Sequence, residues 1–330
     1  MWEMMRAGLY STLVCSIGLM IPATAFMPLK GSRLHNSDPY PCGRVPCSTS
    51  CDLGPAISAL GSRVSSELKM SSSSLEKSTT SEEYELLKGV KVNRASNGEE
   101  IDLLKTWEPA RGKKTIVAFF THTADFNSWE YAQKLRHYLP QIDDAGVDVV
   151  GVSLGTVDAA RFFCAETGFP LSSMFMDATG VAYTKLGFSN GFDPRLPGDK
   201  KLNPYLRLLP MLAGIGSPGT IQAVLKGYTG DPDENAEWIL SSLNIVDQDK
   251  FDVLGNRGSR PFELATLRLQ NMRQIVTQWN RLSPPDKNLI TQQGGTIVFE
   301  GREKIFSYED KGILVYTDVP DMLKTIGVQI

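Results

Sequence analysis

Beyond residue 51 this chain of 330 residues holds one cysteine, Cys164, so side chains able to do nucleophilic chemistry are few. A thiol attacks only as the accessible thiolate; buried, it behaves as a small apolar residue. A redox cycle at Cys164 needs an external thiol, because no second cysteine follows residue 51 to resolve a sulfenic acid. Of the three histidines (His35, His122 and His137), His122 sits between the apolar run TIVAFFT and the turn Thr123 to Ser128. It is a structural, hydrogen-bonded histidine or, if the fold brings them together, the base for Cys164. In the turn, Asp125 has the chemistry of a general base or ligand contact and also suits the positive end of a helix. Asn127, with Glu130 three residues on, fits a capping box, which is the favoured reading. Arg260 with Glu263 and Arg268 suits an anion or carboxylate contact at a sheet end, or an ion pair locking a helix to the core; exposed, such a pair contributes little. Gly214 to Gly219 (GIGSPG) formally matches GxGxxG. It follows a helix-like run and Pro218 removes an amide, so it reads as a tight turn between helices, not a phosphate loop.

The elements that must position these residues follow from periodicity. Thr115–Thr121, Val147–Leu154 and Ser173–Asp177 read as buried strands, with a tentative first element at Leu87–Val92. Phe126–Tyr138, Asp158–Thr167 and Ala178–Leu186 read as helices between and after them, the α/β alternation of a parallel or mixed sheet with helices on both faces. After Gly187 the pattern breaks into a Gly- and Pro-rich stretch with helical pieces at Pro204–Leu212 and Thr220–Lys226. A long helix is expected at Pro261–Leu282, its apolar stripe formed by Phe262, Ala265, Leu269, Met272, Val276 and Trp279. Gly295–Glu300 and Lys304–Glu309 form a hairpin, and Val319–Ile326 a last helix. With the insertion at about 188–290 set aside, the layout is thioredoxin-like: an α/β fold whose C-terminal β-hairpin and helix complete the sheet.

Composition narrows the function classes. Hydrophobic content of 42% and charged content of 22% allow an ordinary core, and a net charge of −3 speaks against nucleic-acid binding by bulk electrostatics. With cysteines and histidines so few in the folded part, neither a disulfide framework nor a Cys- or His-based metal site is expected, and no cofactor is implied. At the N-terminus, Arg6, the apolar run Ala7–Ile21 and Ala23-Thr24-Ala25 have the three regions of a signal peptide over residues 1–25; the run is about 15 residues, short of the ~20 a span needs. Residues 26–64 are rich in Ser, Pro and Gly and more basic than acidic, as in a transit segment. A signal peptide followed by a phenylalanine-led segment (Phe26) resembles the two-part presequence of algae with secondary red-type plastids, which implies a plastid destination. Residues 65–85 read as disordered linker, polar and low in complexity through Ser81, with folding starting near Glu82. The domain proper is placed at 86–330.

Five segments then match a known pattern in order: DFNSWEYAQKL (125–135), RFFCAETGFP (161–170), GIGSPG (214–219), RPFELATLRLQNM (260–272) and GGTIVFEG (294–301). Together they resemble the AhpC/TSA-type, peroxiredoxin-like proteins of the redoxin group in the thioredoxin-like superfamily, and a cyanobacterial and plastid branch with this helical insertion. In active members the turn after the first parallel strand carries a peroxidatic cysteine, or a CxxC pair, where helix-end amides stabilise the thiolate. Here Asp125 and Ser128 fill the CxxC positions, with His122 and Asn127 beside them, and none of these is a peroxide nucleophile. The resemblance therefore implies the fold and a protein acting by binding, as an assembly or regulatory factor, with a photosynthetic complex or thioredoxin as candidate partner and no membrane span in the mature chain. The alternative is a thiol-dependent antioxidant peroxidase or redox sensor using Cys164.

Overall fold

A computed structural model describes residues 80–194, 202–229, 237–246 and 261–330. Its backbone is a seven-stranded mixed sheet of order β2-β1-β5-β4-β3-β6-β7. The strands are β1 (Lys91–Arg94), β2 (Glu100–Asp102), β3 (Lys114–His122), β4 (Asp148–Leu154), β5 (Met174–Met176), β6 (Gly295–Glu300) and β7 (Glu303–Glu309). The pairs β3–β4 and β4–β5 are parallel; β3–β6, β6–β7, β1–β5 and β1–β2 are antiparallel. This is the thioredoxin-like α/β arrangement the sequence predicts, with the C-terminal hairpin extending the parallel strands.

Strand β3 is buried on both faces because its side chains alternate between two cores. Ile116, Ala118 and Phe120 join one core with Trp129, Leu135, Phe163 and Phe169. Val117 and Phe119 join the other with Tyr183, Phe188 and Phe299. The helices follow suit. On the first side lie α2 (Phe126–Asp144), α3 (Val157–Thr167) and α10 (Val319–Thr325); on the second lie α1 (Glu82–Leu86) and α4 (Val181–Leu186). Each fully buried Phe or Leu here contributes roughly 1.5–3 kcal/mol. Gly168 ends α3 at φ 74°, with its amide on the Cys164 carbonyl. That positive φ is what calls for glycine there, since any Cβ would be strained.

The inserted region contributes α5 (Pro204–Leu212), α6 (Thr220–Thr229), α7 (Glu237–Val246), α8 (Pro261–Thr277) and α9 (Trp279–Leu282). Several expectations are corrected. Helix α7 was not anticipated; its Trp238, Ile239 and Leu243 form a small core with Leu264 and Leu267 of α8. The expected single helix over 261–282 divides at Gln278. Its buried face is Glu263, Leu264, Leu267, Asn271 and Ile275, whereas Phe262 (72% exposed) and Leu269 (61%) of the expected stripe face outward. α8 carries apolar residues on two faces, and the partners decide: Leu264 and Leu267 meet α7, while Arg268 and Asn271 bond to Glu130 and Gln133 of α2. The end of the expected linker is already helical, because Tyr84 of α1 packs on Trp107 and Phe299. Gly214 to Gly219 is indeed the connection between α5 and α6. Among the described residues no helix is long and apolar enough to cross a membrane.

Candidate functional site

The strand-to-helix turn at residues 122–128 lies at the C-terminal end of β3, a strand flanked by β4 and β6. Its residues are mutually satisfied. Asp125, not Asn127, is the N-cap of α2: its Oδ1 accepts the Asn127 amide at 3.4 Å. Its Oδ2 accepts the Thr121 hydroxyl at 2.7 Å. Thr121 Oγ1 and Ser128 Oγ are 2.8 Å apart. The single Thr121 proton is given to Asp125, so Ser128 donates to Thr121. The two residues in the CxxC positions, Asp125 and Ser128, are thus joined through Thr121 into one closed network.

The capping box is a correction. Asn127 lies inside the first turn and reaches away from it: Nδ2 donates to the Gly312 carbonyl at 3.0 Å, and Oδ1 accepts the Leu314 amide. Glu130 does not fold back to the cap. It receives Arg268 Nε at 2.8 Å and Nη2 at 3.1 Å, and the Tyr316 hydroxyl at 2.6 Å. Two plausible caps stand two residues apart in this sequence, and the tertiary partners of Asn127 and Glu130 settle which is used. Burial pushes the Glu130 carboxyl up, but the Arg268 guanidinium and the Tyr316 hydroxyl outweigh it and hold it below the usual carboxylate range. An ion pair of insertion and core thus runs from Arg268 to Glu130, a carboxylate not among the expected partners. Glu263 is buried in the first turn of α8, and Arg260 lies outside the described residues.

His122 is buried and fully committed. The Ala124 amide donates to Nδ1 at 3.2 Å, and Nε2 lies 3.0 Å from the Ile290 carbonyl. An acceptor at Nδ1 fixes the tautomer with the proton on Nε2. Burial lowers the ring pKa against the pull of Asp125, so the imidazole stays neutral. Cys164 is 6% exposed on α3, within the core that holds Trp129 and Phe163. Burial pushes its thiol up to about 12. With both His122 nitrogens taken by backbone groups, the His122–Cys164 couple does not form.

Asp310, just past β7, was not anticipated. Its amide donates to the Gly294 carbonyl at 3.0 Å, placing it opposite the start of β6. Burial raises its carboxyl well above the usual range, and the charge of Asp125 pushes the same way. Its Oδ1 has no hydrogen-bond partner. Asp310 thus adds a second buried carboxyl near the capping aspartate, and the two disfavour each other's charge. One aspartate after a strand carries no signal in sequence; the antiparallel register opposite Gly294 is what brings it here. Gly294 itself is required, because a Cβ would strike the Phe119 carbonyl oxygen. Among the described residues no three of His, Cys, Asp and Glu are grouped to hold a metal ion.

The sheet order, the strand-to-helix turn and the C-terminal hairpin define a redoxin of the thioredoxin-like fold. The family described as AhpC/TSA antioxidant enzyme matches residues 134–312, more than half of the chain, and the protein belongs to that family. The match starts at Lys134, within α2, and so does not include the turn. Among solved structures, a peroxiredoxin Q of Xanthomonas campestris is similar at 18% identity over 36% of this chain and 69% of its own, with a TM-score of 0.28. The bacterioferritin comigratory protein of the same organism is similar at 10% identity over 73% of this chain and 90% of its own, with a TM-score of 0.35. No curated protein matches the sequence.

Proposed function

We propose that this AhpC/TSA-family protein works by binding, as an assembly or regulatory factor in a plastid, and not by peroxide chemistry. The observation that carries the reading is the closed Thr121–Asp125–Ser128 network at the turn where redoxins of this layout use a thiol. The state of Cys164 supports it: at neutral pH a buried thiol with a pKa of about 12 is almost wholly protonated and sheltered from peroxide. The composition of residues 1–64 supports the plastid destination, and a fluorescent protein fused after residue 85 is expected to enter the plastid; retention in the secretory pathway would contradict it.

Peroxide consumption with thioredoxin or glutathione as reductant tests the reading. Wild type and Cys164→Ser are expected to be equally inactive. Turnover in wild type that disappears in Cys164→Ser would replace the proposal with a one-cysteine peroxidase. Under the binding reading, capture from plastid membranes is expected to recover a protein partner.

A further inference from the structure

Arginines that tie distant parts of this chain together meet carboxylates: Arg207 with Asp193, Arg268 with Glu130 and Arg281 with Asp158. Arg136, on α2, does not. Its Nη2 donates to Ser241 Oγ at 2.8 Å and to Ser242 Oγ at 3.1 Å, both on α7. Each serine gives its own proton to the Trp238 carbonyl, at 3.0 and 2.7 Å, so each offers Arg136 a neutral oxygen. Nε, 3.5 Å from the place of a Cβ on Gly168, is buried without a partner. Nη1 makes no hydrogen bond among the described residues. Helix α3 also ends here, but none of its last carbonyls takes a guanidinium hydrogen.

His137 stands beside it. Its Nδ1 is 3.3 Å from Ser241 Oγ, so the ring and the guanidinium converge on one oxygen. Burial lowers the Arg136 pKa and no carboxylate raises it, in contrast to Arg268 beside Glu130. Burial and the Arg136 charge lower the His137 pKa, and Glu237 of α7 pulls the other way. Arg136, His137 and Ser241 are each partly exposed, so a solute reaches them, whereas Ser242 behind them is 1% exposed.

A guanidinium taken partly out of water is costly, and neutral hydroxyls offset that cost only in part. An oxyanion supplies what is missing, because the planar fork of an arginine takes two of its oxygens at once. A titratable second cation beside the first suits a group able to carry two negative charges, a phosphate over a carboxylate. We propose that the seam between α2 and α7 binds a small phosphate-bearing anion, held by Arg136 and His137 with Ser241 at their junction. The site stands apart from the turn at Asp125 and does not rest on the reading given to that turn.

The test is titration of the full chain with inorganic phosphate at pH 7, ionic strength held constant with sodium chloride, read from the His137 ring resonance by NMR. His137→Gln assigns the resonance. A saturable shift is expected, and acetate is expected to bind at least about threefold more weakly. Arg136→Met is expected to weaken phosphate binding at least about tenfold, the loss of a charge-assisted contact. If Arg136→Met does not fold, Ser241→Asp serves: its carboxylate occupies the junction, so the phosphate response is expected to vanish while the unfolding midpoint is kept or raised. Absence of a saturable shift in wild type would overturn the proposal. So would a shift that acetate reproduces at the same concentration, or one that the folded variants retain.

Discussion

Replacing Arg268 with methionine is expected to destabilise the protein by about 3–5 kcal/mol at neutral pH, measured by urea unfolding. The Glu130 side chain is 6% exposed and its partner Arg268 19%. The methionine leaves a carboxylate inside the interface between α2 and α8 with only Tyr316 and nearby Lys134 to offset burial. In the wild type the Glu130 carboxyl titrates below its ordinary value of 4.5. The pair's contribution is therefore fully present above about pH 4.5 and is lost as pH falls through the lower folded value. In Arg268→Met the unpaired carboxyl titrates high instead, so the deficit against wild type grows as pH rises above 4.5 and shrinks below it. Glu130→Gln in the same background is expected to recover part of the loss. A deficit under about 1 kcal/mol, or one that does not depend on pH, would mean that the pair behaves as an exposed one.

The second large effect is expected at Asn127. Asn127→Ala removes a donor from the Gly312 carbonyl and an acceptor from the Leu314 amide, 185 and 187 residues away in sequence. Unsatisfied groups there cost roughly 2–4 kcal/mol together. Leu314 is the one non-glycine residue with positive φ (61°) among the described residues, and the bond to Asn127 is what holds it there. The variant is expected to unfold at lower urea and to exchange its Leu314 amide faster, as the loop at 312–316 relaxes. Were Asn127 a simple helix cap, the loss would be about 1 kcal/mol and the loop would keep its protection.

These two residues also mark how far the sequence could be read. The β3–turn–α2 unit, the α/β alternation and the C-terminal hairpin were legible because a nine-residue buried strand, amphipathic helices and a glycine turn each have a local pattern. The roles of Asn127 and Glu130 were not, because both depend on partners more than 130 residues away that no local pattern encodes. The same holds for α8, where apolar residues on two faces left the buried one undecided until α7 and α2 were in place. Helix α7 is only ten residues long, and between Gly-, Pro- and Asp-rich neighbours so short an apolar run is not distinguished from a strand or a buried loop by pattern alone. At the site, the absence of a thiol from the turn was visible in the sequence. The closed hydroxyl–carboxylate network, the occupied His122 and the buried Asp310 near the cap needed the fold.

Arg268 passes Gly227 of α6 on its way to Glu130 of α2. One buried ion pair therefore anchors the inserted helices to the helix that begins at the turn. The surface added to the redoxin core is held by contacts independent of the Thr121–Asp125–Ser128 network.

The most direct measurement is the pH dependence of Cys164 alkylation in the folded protein, followed by mass spectrometry of the peptide that contains it. The account predicts negligible modification at neutral pH and a rise only as the pH approaches about 12 or the protein unfolds. Rapid alkylation of folded Cys164 at pH 7, titrating with a pKa near or below that of a free thiol, would contradict it and return this chain to the thiol peroxidases.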